Sequence, residues 1–224
     1  MQSTKKVIIV FFSVVILFGS LLIVNAAKLE NIQSVTVEDF NQQWSYVASK
    51  DEDKNKTQIK IIDGGANNAY LLGDKATGND QKKCMAVKTG FNHRGYNWIA
   101  FIPNKPIVLP GRSKKLQVWV LGMKYDYNLE VWLRDYKGVM HKIDMGSLDF
   151  EGWASLVRNI PASIPQQEDT YPKDRPLSIV KIVLRASPTE RADRFYVFFD
   201  QINVYSDVYQ KFFDGMDLIN KAQW

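Results

Sequence analysis

Between residues 57 and 205 the chain breaks into short apolar or alternating runs, each bounded by Gly, Pro, Asn or Asp, and this punctuation constrains the fold more than any other feature. The runs are too short for core helices, and their side-chain period is two. Ten candidate strands follow: Gln58 to Ile62, Ala69 to Leu72, Cys84 to Lys88, Asn97 to Ile102, Lys115 to Leu121, Asn128 to Asp135, Val139 to Met145, Ala154 to Arg158, Ile179 to Arg185 and Phe195 to Tyr205. With no helical period between them, they predict an antiparallel all-β domain. A single sheet that wide would leave an apolar face in water, so the expected architecture is a two-sheet jelly-roll β-sandwich.

Two segments carry helical spacing and predict short helical additions. Over Val37 to Tyr46 the pattern is mixed: Val35 and Val37 alternate as in a strand, after which Phe40, Trp44 and Val47 recur at helical intervals. Near the carboxyl end Val208, Phe212, Met216 and Ile219 recur every three or four residues, with Asp207 placed to cap, which predicts a helix over about 208–222. Pro161 to Pro176 holds four prolines in sixteen residues and reads as a long, stiff surface loop, because proline has no donor for a ladder.

The amino terminus has a separate logic. Lys5 and Lys6 precede an apolar run from Val7 to Val24, and Val24-Asn25-Ala26 supplies small residues where a signal peptidase cuts. Residues 1–26 therefore read as a secretory signal peptide, the rival being an uncleaved anchor, and residues 27–224 as one domain. Cleavage removes both lysines and takes the net charge from +5 to +3. That charge, with no long run of either sign, argues against a nucleic-acid arm or an acidic tail. One Cys excludes an intrachain disulfide, and with only two His a Cys/His zinc cage is not available. Cys84 reads as a small buried side chain in a strand. A mean hydropathy of -0.24 with one long apolar run excludes a polytopic membrane protein.

Catalytic patterns are missing. The imidazoles are His93, in a polar turn, and His141, in a strand of mixed polarity, and no GxSxG elbow is present. Glu130, Asp135, Asp144, Asp149 and Glu151 offer many carboxylate pairs with no specificity as a glycosidase signal. Asp63-Gly64-Gly65-Ala66 lacks the spacing and the Lys of a phosphate loop, and Asn55-Lys56-Thr57 matches a glycosylation sequon that is short enough to occur by chance.

Aromatic positions say more. Leu116, Val118 and Val120 face one way, which puts Trp119 with Gln117 on the other face. By the same arithmetic Trp132 joins Glu130 and Arg134, opposite Leu129, Val131 and Leu133. Two neighbouring strands would then each show a Trp on a polar face, for which a covering segment, a protein contact and a glycan platform are the three readings. In Phe195 to Tyr205, Phe195, Val197 and Phe199 form one face and Tyr196, Phe198, Ile202 and Val204 the other, so the strand should be central. Asp200 inside it is turned to an edge, paired, or a calcium ligand, a structural role without metal being favoured.

Three blocks bear on identity. The run Val118-Trp119-Val120-Leu121-Gly122-Met123-Lys124-Tyr125-Asp126-Tyr127-Asn128-Leu129-Glu130-Val131-Trp132-Leu133-Arg134-Asp135-Tyr136-Lys137-Gly138 resembles the FlaA family, the outer-layer (sheath) proteins of spirochaete periplasmic flagella. Met145 to Trp153 and Asn159 to Gln166 are similar to the same family, and likeness continues from Tyr171-Pro172-Lys173 to Phe198-Phe199-Asp200-Gln201-Ile202. Val37 to Phe40 and Phe199 to Ile202 resemble bracketing strands of jelly-roll carbohydrate-binding modules. The FlaA resemblance implies export to the periplasm, assembly around flagellin core subunits with other sheath proteins and with copies of itself, and a contribution to filament shape, stiffness and motility. It implies no enzyme, cofactor or inherited site. Contact candidates are Trp119, Trp132, Arg134, Tyr171, Phe212, Met216 and Trp224. The alternative is a periplasmic glycan-binding module in which Trp119 and Trp132 stack on sugar.

Overall fold

The computed structural model describes residues 32–66, 83–168 and 175–207. Within them the chain forms twelve strands and no helix. The strands are β1 (Ile32–Glu38), β2 (Ser45–Ala48), β3 (Gln58–Asp63), β4 (Lys83–Thr89), β5 (Trp98–Ile102), β6 (Ile107–Val108), β7 (Arg112–Met123), β8 (Tyr127–Arg134), β9 (Met140–Ser147), β10 (Glu151–Asn159), β11 (Ser178–Ala186) and β12 (Phe195–Asp207). They form two six-stranded sheets. The first runs β10-β7-β12-β4-β3 with β1 also on β12; the second runs β2-β5-β11-β8-β9 with β6 also on β11. Every pairing is antiparallel.

The sandwich follows from alternation. Leu116, Val118 and Val120 of β7 and Leu129, Val131 and Leu133 of β8 are all fully buried between the sheets. Each such side chain removed from water contributes roughly 1.5–3 kcal/mol. Aromatic rings fix the middle: Phe199 lies 5.8 Å from Phe40 and 5.7 Å from Phe101, and Tyr127 stacks on Phe195 at 3.9 Å.

Nine of the ten expected strands are present; Ala69 to Leu72 lies outside the described residues, as does the helix expected over 208–222. β1, β2 and β6 were not among those expected. Over Val37 to Tyr46 no helix forms. The chain leaves β1 and turns at Phe40, whose φ of 52° is left-handed, while its N–H donates to Glu38 Oε1 at 2.7 Å. Phe40 and Trp44 are buried with ring centroids 5.1 Å apart, whereas Val47 points outward and is half exposed. A four-residue spacing of inward side chains is thus produced by a tight loop and not by a helical turn.

Two further corrections concern faces. β7 and β8 are consecutive in the chain but belong to opposite sheets, joined by Lys124-Tyr125-Asp126, so they are not neighbours. β12 carries a bulge: Phe199 pairs with Val120 and Ile202 with Val118, leaving Asp200 and Gln201 opposite one residue. Parity therefore inverts within the strand. Phe195, Val197 and Phe199, then Ile202 and Val204, all enter the same core, contrary to the uniform alternation expected. The described part of the proline-rich loop is not strand. It is tied down where Ser113 N–H donates to Gln166 Oε1 at 2.7 Å and Gln166 Nε2 donates to Ser113 O at 2.9 Å.

Candidate functional site

The outer face of the second sheet is built around one carboxylate. On β8 the residues Asn128, Glu130, Trp132 and Arg134 point away from the core, and the register sets Lys181 of β11 and Lys142 of β9 on either side of Trp132. Glu130 is only 2% exposed. Its Oε1 accepts from Arg185 Nε at 2.8 Å and from Lys142 Nζ at 3.5 Å, and its Oε2 accepts from Trp132 Nε1 at 3.1 Å. Lys181 Nζ sits 4.4 Å from the Trp132 ring centroid, a cation–π contact. A single buried acid thus gathers Arg185, Lys142 and Trp132, while the exposed Asp144, paired across from it on β9, accepts from Asn128 Nδ2 at 3.0 Å. Arg185 and Lys142 remain about half exposed and keep their outer hydrogens for a partner. Arg134 is exposed at the end of the same row.

The outer face of the first sheet is covered at Trp119. Trp119 is 6% exposed and packs on Ala66 and Trp153. Asp200, in the β12 bulge, accepts the Ala66 N–H at 2.7 Å, so a polar bond holds the Gly64-Gly65-Ala66 segment over the sheet. Gln117 donates to Ser155 Oγ at 2.5 Å and accepts from Tyr205 OH at 3.0 Å. Burial, with the Asp200 charge, pushes the Cys84 thiol up to about 11. A thiol so poised is almost wholly protonated at neutral pH and is a poor nucleophile.

Each histidine meets an aspartate. His93 lies in an exposed turn with Nδ1 2.9 Å from Asp51 Oδ1, and that hydrogen bond holds the Asp51 carboxyl below its ordinary value. His141 Nε2 lies 2.8 Å from Asp135 Oδ2, while the Lys137 and Val139 N–H groups both donate to Asp135 Oδ1 at 2.9 Å. Burial would raise Asp135, but the His141 and backbone hydrogen bonds outweigh it and hold the carboxyl below its usual range. These bonds staple the β8–β9 hairpin. Among the described residues no hydroxyl or thiol hydrogen-bonds to either imidazole, and no three His, Cys, Asp or Glu side chains converge as a metal site.

Of the expected contact residues, Trp132 and Arg134 share one outward row, whereas Trp119 is on the opposite sheet and covered. Tyr171, Phe212, Met216 and Trp224 lie outside the described residues. Trp119 and Trp132 cannot form one sugar platform, since they point away from opposite layers. Lys142, Lys181 and Arg185 escaped sequence reasoning. Alternation puts them on the polar face of their strands, but only strand pairing brings Lys142 and Arg185 to Glu130 and Lys181 to the Trp132 ring.

The profile of the family described as flagellar filament outer layer protein Flaa matches residues 23–213. The chain belongs to this FlaA family. A flagellar filament outer layer-like protein of Brachyspira hyodysenteriae is 27% identical over 180 residues, covering 80% of this chain and 82% of that protein. The flagellar filament outer layer proteins of Borreliella burgdorferi and Spirochaeta aurantia are each 36% identical, over 61 and 78 residues, covering 18% and 22% of their own lengths. Among solved structures, the family 11 carbohydrate-binding module of a Clostridium thermocellum cellulase superposes with a TM-score of 0.42 at 11% identity, over 81% of this chain and 99% of that one. A module bound to β-1,4-galactotriose gives 0.39 at 13% identity, over 73% and 90%. At these identities the likeness concerns the sandwich alone. FlaA membership bears out the resemblance carried by the long Val118 to Gly138 block, which the fold resolves into β7, the crossing between the sheets, β8 and the start of its hairpin turn.

Proposed function

We propose that this FlaA-family chain is a structural, non-catalytic subunit of the outer layer of a spirochaete periplasmic flagellar filament. The observation that carries the reading is the family match across residues 23–213, which spans both sheets of the sandwich. The chain is exported by a signal peptide over residues 1–26, coats the flagellin core beside other sheath proteins and copies of itself, and contributes to filament shape, stiffness and motility. No cofactor enters this role. Contact is made through the outer face of the second sheet, where Trp132 and Arg134 are flanked by half-exposed cations; Trp and Arg are enriched at energetically dominant contact positions. Tyr171, Phe212, Met216 and Trp224 are proposed as further contacts, and Trp119 as a support beneath the Ala66 cover.

The test is to shear and purify periplasmic flagella from the native cells and quantify this protein against flagellin by mass spectrometry. Near-stoichiometric recovery, with a mature start at Ala27 or Lys28, is the expected result. Absence from filaments, with the protein free in the periplasm, would overturn the assignment. Cells carrying Trp132→Ala together with Arg134→Glu should yield filaments depleted of the protein, and unchanged recovery would remove this face from the contact.

A further inference from the structure

Among the described residues six strands leave one edge unpaired: β10, β3 and β1 in the first sheet, and β2, β9 and β6 in the second. A row of free N–H and C=O groups invites another strand, and chains usually blunt such an edge by shortness, a lysine or a bulge. β2 and β6 are four and two residues long, β3 carries Lys60, and β1 and β9 are interrupted by bulges, between Thr36 and Glu38 and between Asp144 and Gly146. β10 has none of these protections. Its nine residues, Glu151–Asn159, pair with β7 without a register shift and include neither Lys nor Pro.

Backbone bonds at the two ends of β10 fix which groups face its open side. Lys124 N–H donates to Phe150 O at 2.9 Å and Ile160 N–H donates to Lys114 O at 2.8 Å, so the even-numbered residues bond to β7. The N–H and C=O groups of Glu151, Trp153, Ser155, Val157 and Asn159 therefore point outward. Val157 O is met by its own neighbour, because Arg158 Nη1 donates to it at 2.9 Å, and the same guanidinium reaches β9, where a Cβ on Gly146 would stand 2.7 Å from Nη2. That carbonyl keeps a second lone pair for a strand. The Val157 side chain is 38% exposed.

We propose that β10 pairs antiparallel with β10 of a second copy of this chain, about a two-fold axis at Ser155. The strand is complementary to itself in that register: Ser155 meets Ser155, Trp153 meets Val157 and Glu151 meets Asn159, so the outward N–H and C=O groups find partners and the exposed valine lies against an indole. Arg158 falls opposite Gly152, beside which a Cβ would meet nothing within 4 Å, whereas parallel pairing would set Arg158 against Arg158. The inference rests on the outer-layer reading only for the presence of further copies, and its test is made in solution, so it holds or fails independently of recovery on filaments.

Sedimentation velocity of the purified chain over roughly 1–200 μM should show a reversible dimer. Val157→Lys should weaken it by about tenfold or more, because a two-fold interface meets the change twice, while Val108→Lys, the same change at an exposed valine of the second sheet, should shift it less than about twofold. Ser155→Cys should oxidise to a covalent dimer, since the Cα atoms of a bonded pair lie about 5.5 Å apart. Asn159→Cys, exposed but about 27 Å from its symmetry mate, should not, nor should the parent, whose Cys84 is buried. A parent that is monomeric throughout, equal losses in the two lysine variants, or cross-linking at Asn159 as readily as at Ser155 would overturn the proposal. If Ser155→Cys lowers the melting temperature through loss of its bond to Gln117, the two lysine variants decide alone.

Discussion

Glu130 is the residue whose removal tests most of the reasoning about the second sheet. Glu130→Ala deletes a carboxylate that is 2% exposed and strands three donors: Arg185 Nε, Lys142 Nζ and Trp132 Nε1. The two cations are 47% and 51% exposed, so each ion pair is worth at most about 1 kcal/mol and both cations regain water when the acid is gone. The indole hydrogen bond contributes about 1 kcal/mol more. The loss of stability should then be about 2 kcal/mol, below the 3–5 kcal/mol seen when a fully buried pair is broken. Glu130→Gln keeps an acceptor for the indole and should recover about half of it. Arg185→Ala should cost less than Glu130→Ala, because Glu130 retains Lys142 and Trp132. Urea unfolding followed by tryptophan fluorescence measures all three. A loss under about 0.5 kcal/mol for Glu130→Ala, or an Arg185→Ala variant that is the less stable of the two, would refute the view that the acid organises the face.

Asp135 gives a pH signature. Its carboxyl is held below the ordinary value in the folded chain, so the stability it confers is fully present above the unfolded value and is lost as pH falls through the folded one. The gap in urea midpoint between the parent and Asp135→Asn should therefore be widest near neutral pH and close below about pH 4; a constant gap from pH 7 to pH 3 would contradict the His141 pairing. Gly122→Ala should destabilise by about 1–3 kcal/mol, since its Cβ would meet Phe150 O at 2.7 Å and Leu148 O at 2.9 Å, backbone atoms that cannot step aside, and an unchanged melting temperature would show that this corner yields. Cys84 should resist iodoacetamide at pH 8 in the folded chain and react once urea unfolds it, which mass spectrometry of the alkylated peptide reads directly.

How much of this was readable in residues alone depends on the range of the interaction. Alternation is local, so the centres of β7, β8 and β11 and their buried faces could be placed from Leu116, Val131 or Ile182 and their neighbours. β1 and β2 were obscured because Phe40 and Trp44 reach the core from a turn, imitating the spacing of a helix. β6 is two residues long, Ile107–Val108, and has no period to detect. The assignment of β7 and β8 to different sheets is decided by three connecting residues and by long-range pairing, and neither leaves a mark on the pattern of either strand. For the same reason Trp132 and Arg134 could be put on an outward face, while the cations that complete that face, Lys142 and Arg185, sit 8 to 53 residues away from them in the chain and could not be joined to it.

The bulge at Asp200 and Gln201 makes the last strand two half-strands of opposite phase. Before it, even-numbered positions such as Tyr196 and Phe198 look outward; after it, odd-numbered ones such as Asn203 and Tyr205 do. Deleting Gln201 would leave Asp200 alone opposite Trp119, bring the halves into phase and keep Ile202 and Val204 in the core, so the strand would lose its bulge and not its filling. One extra residue, which contributes no side chain to the core, thereby sets which numbers face inward: 195, 197 and 199 before it, 202 and 204 after it.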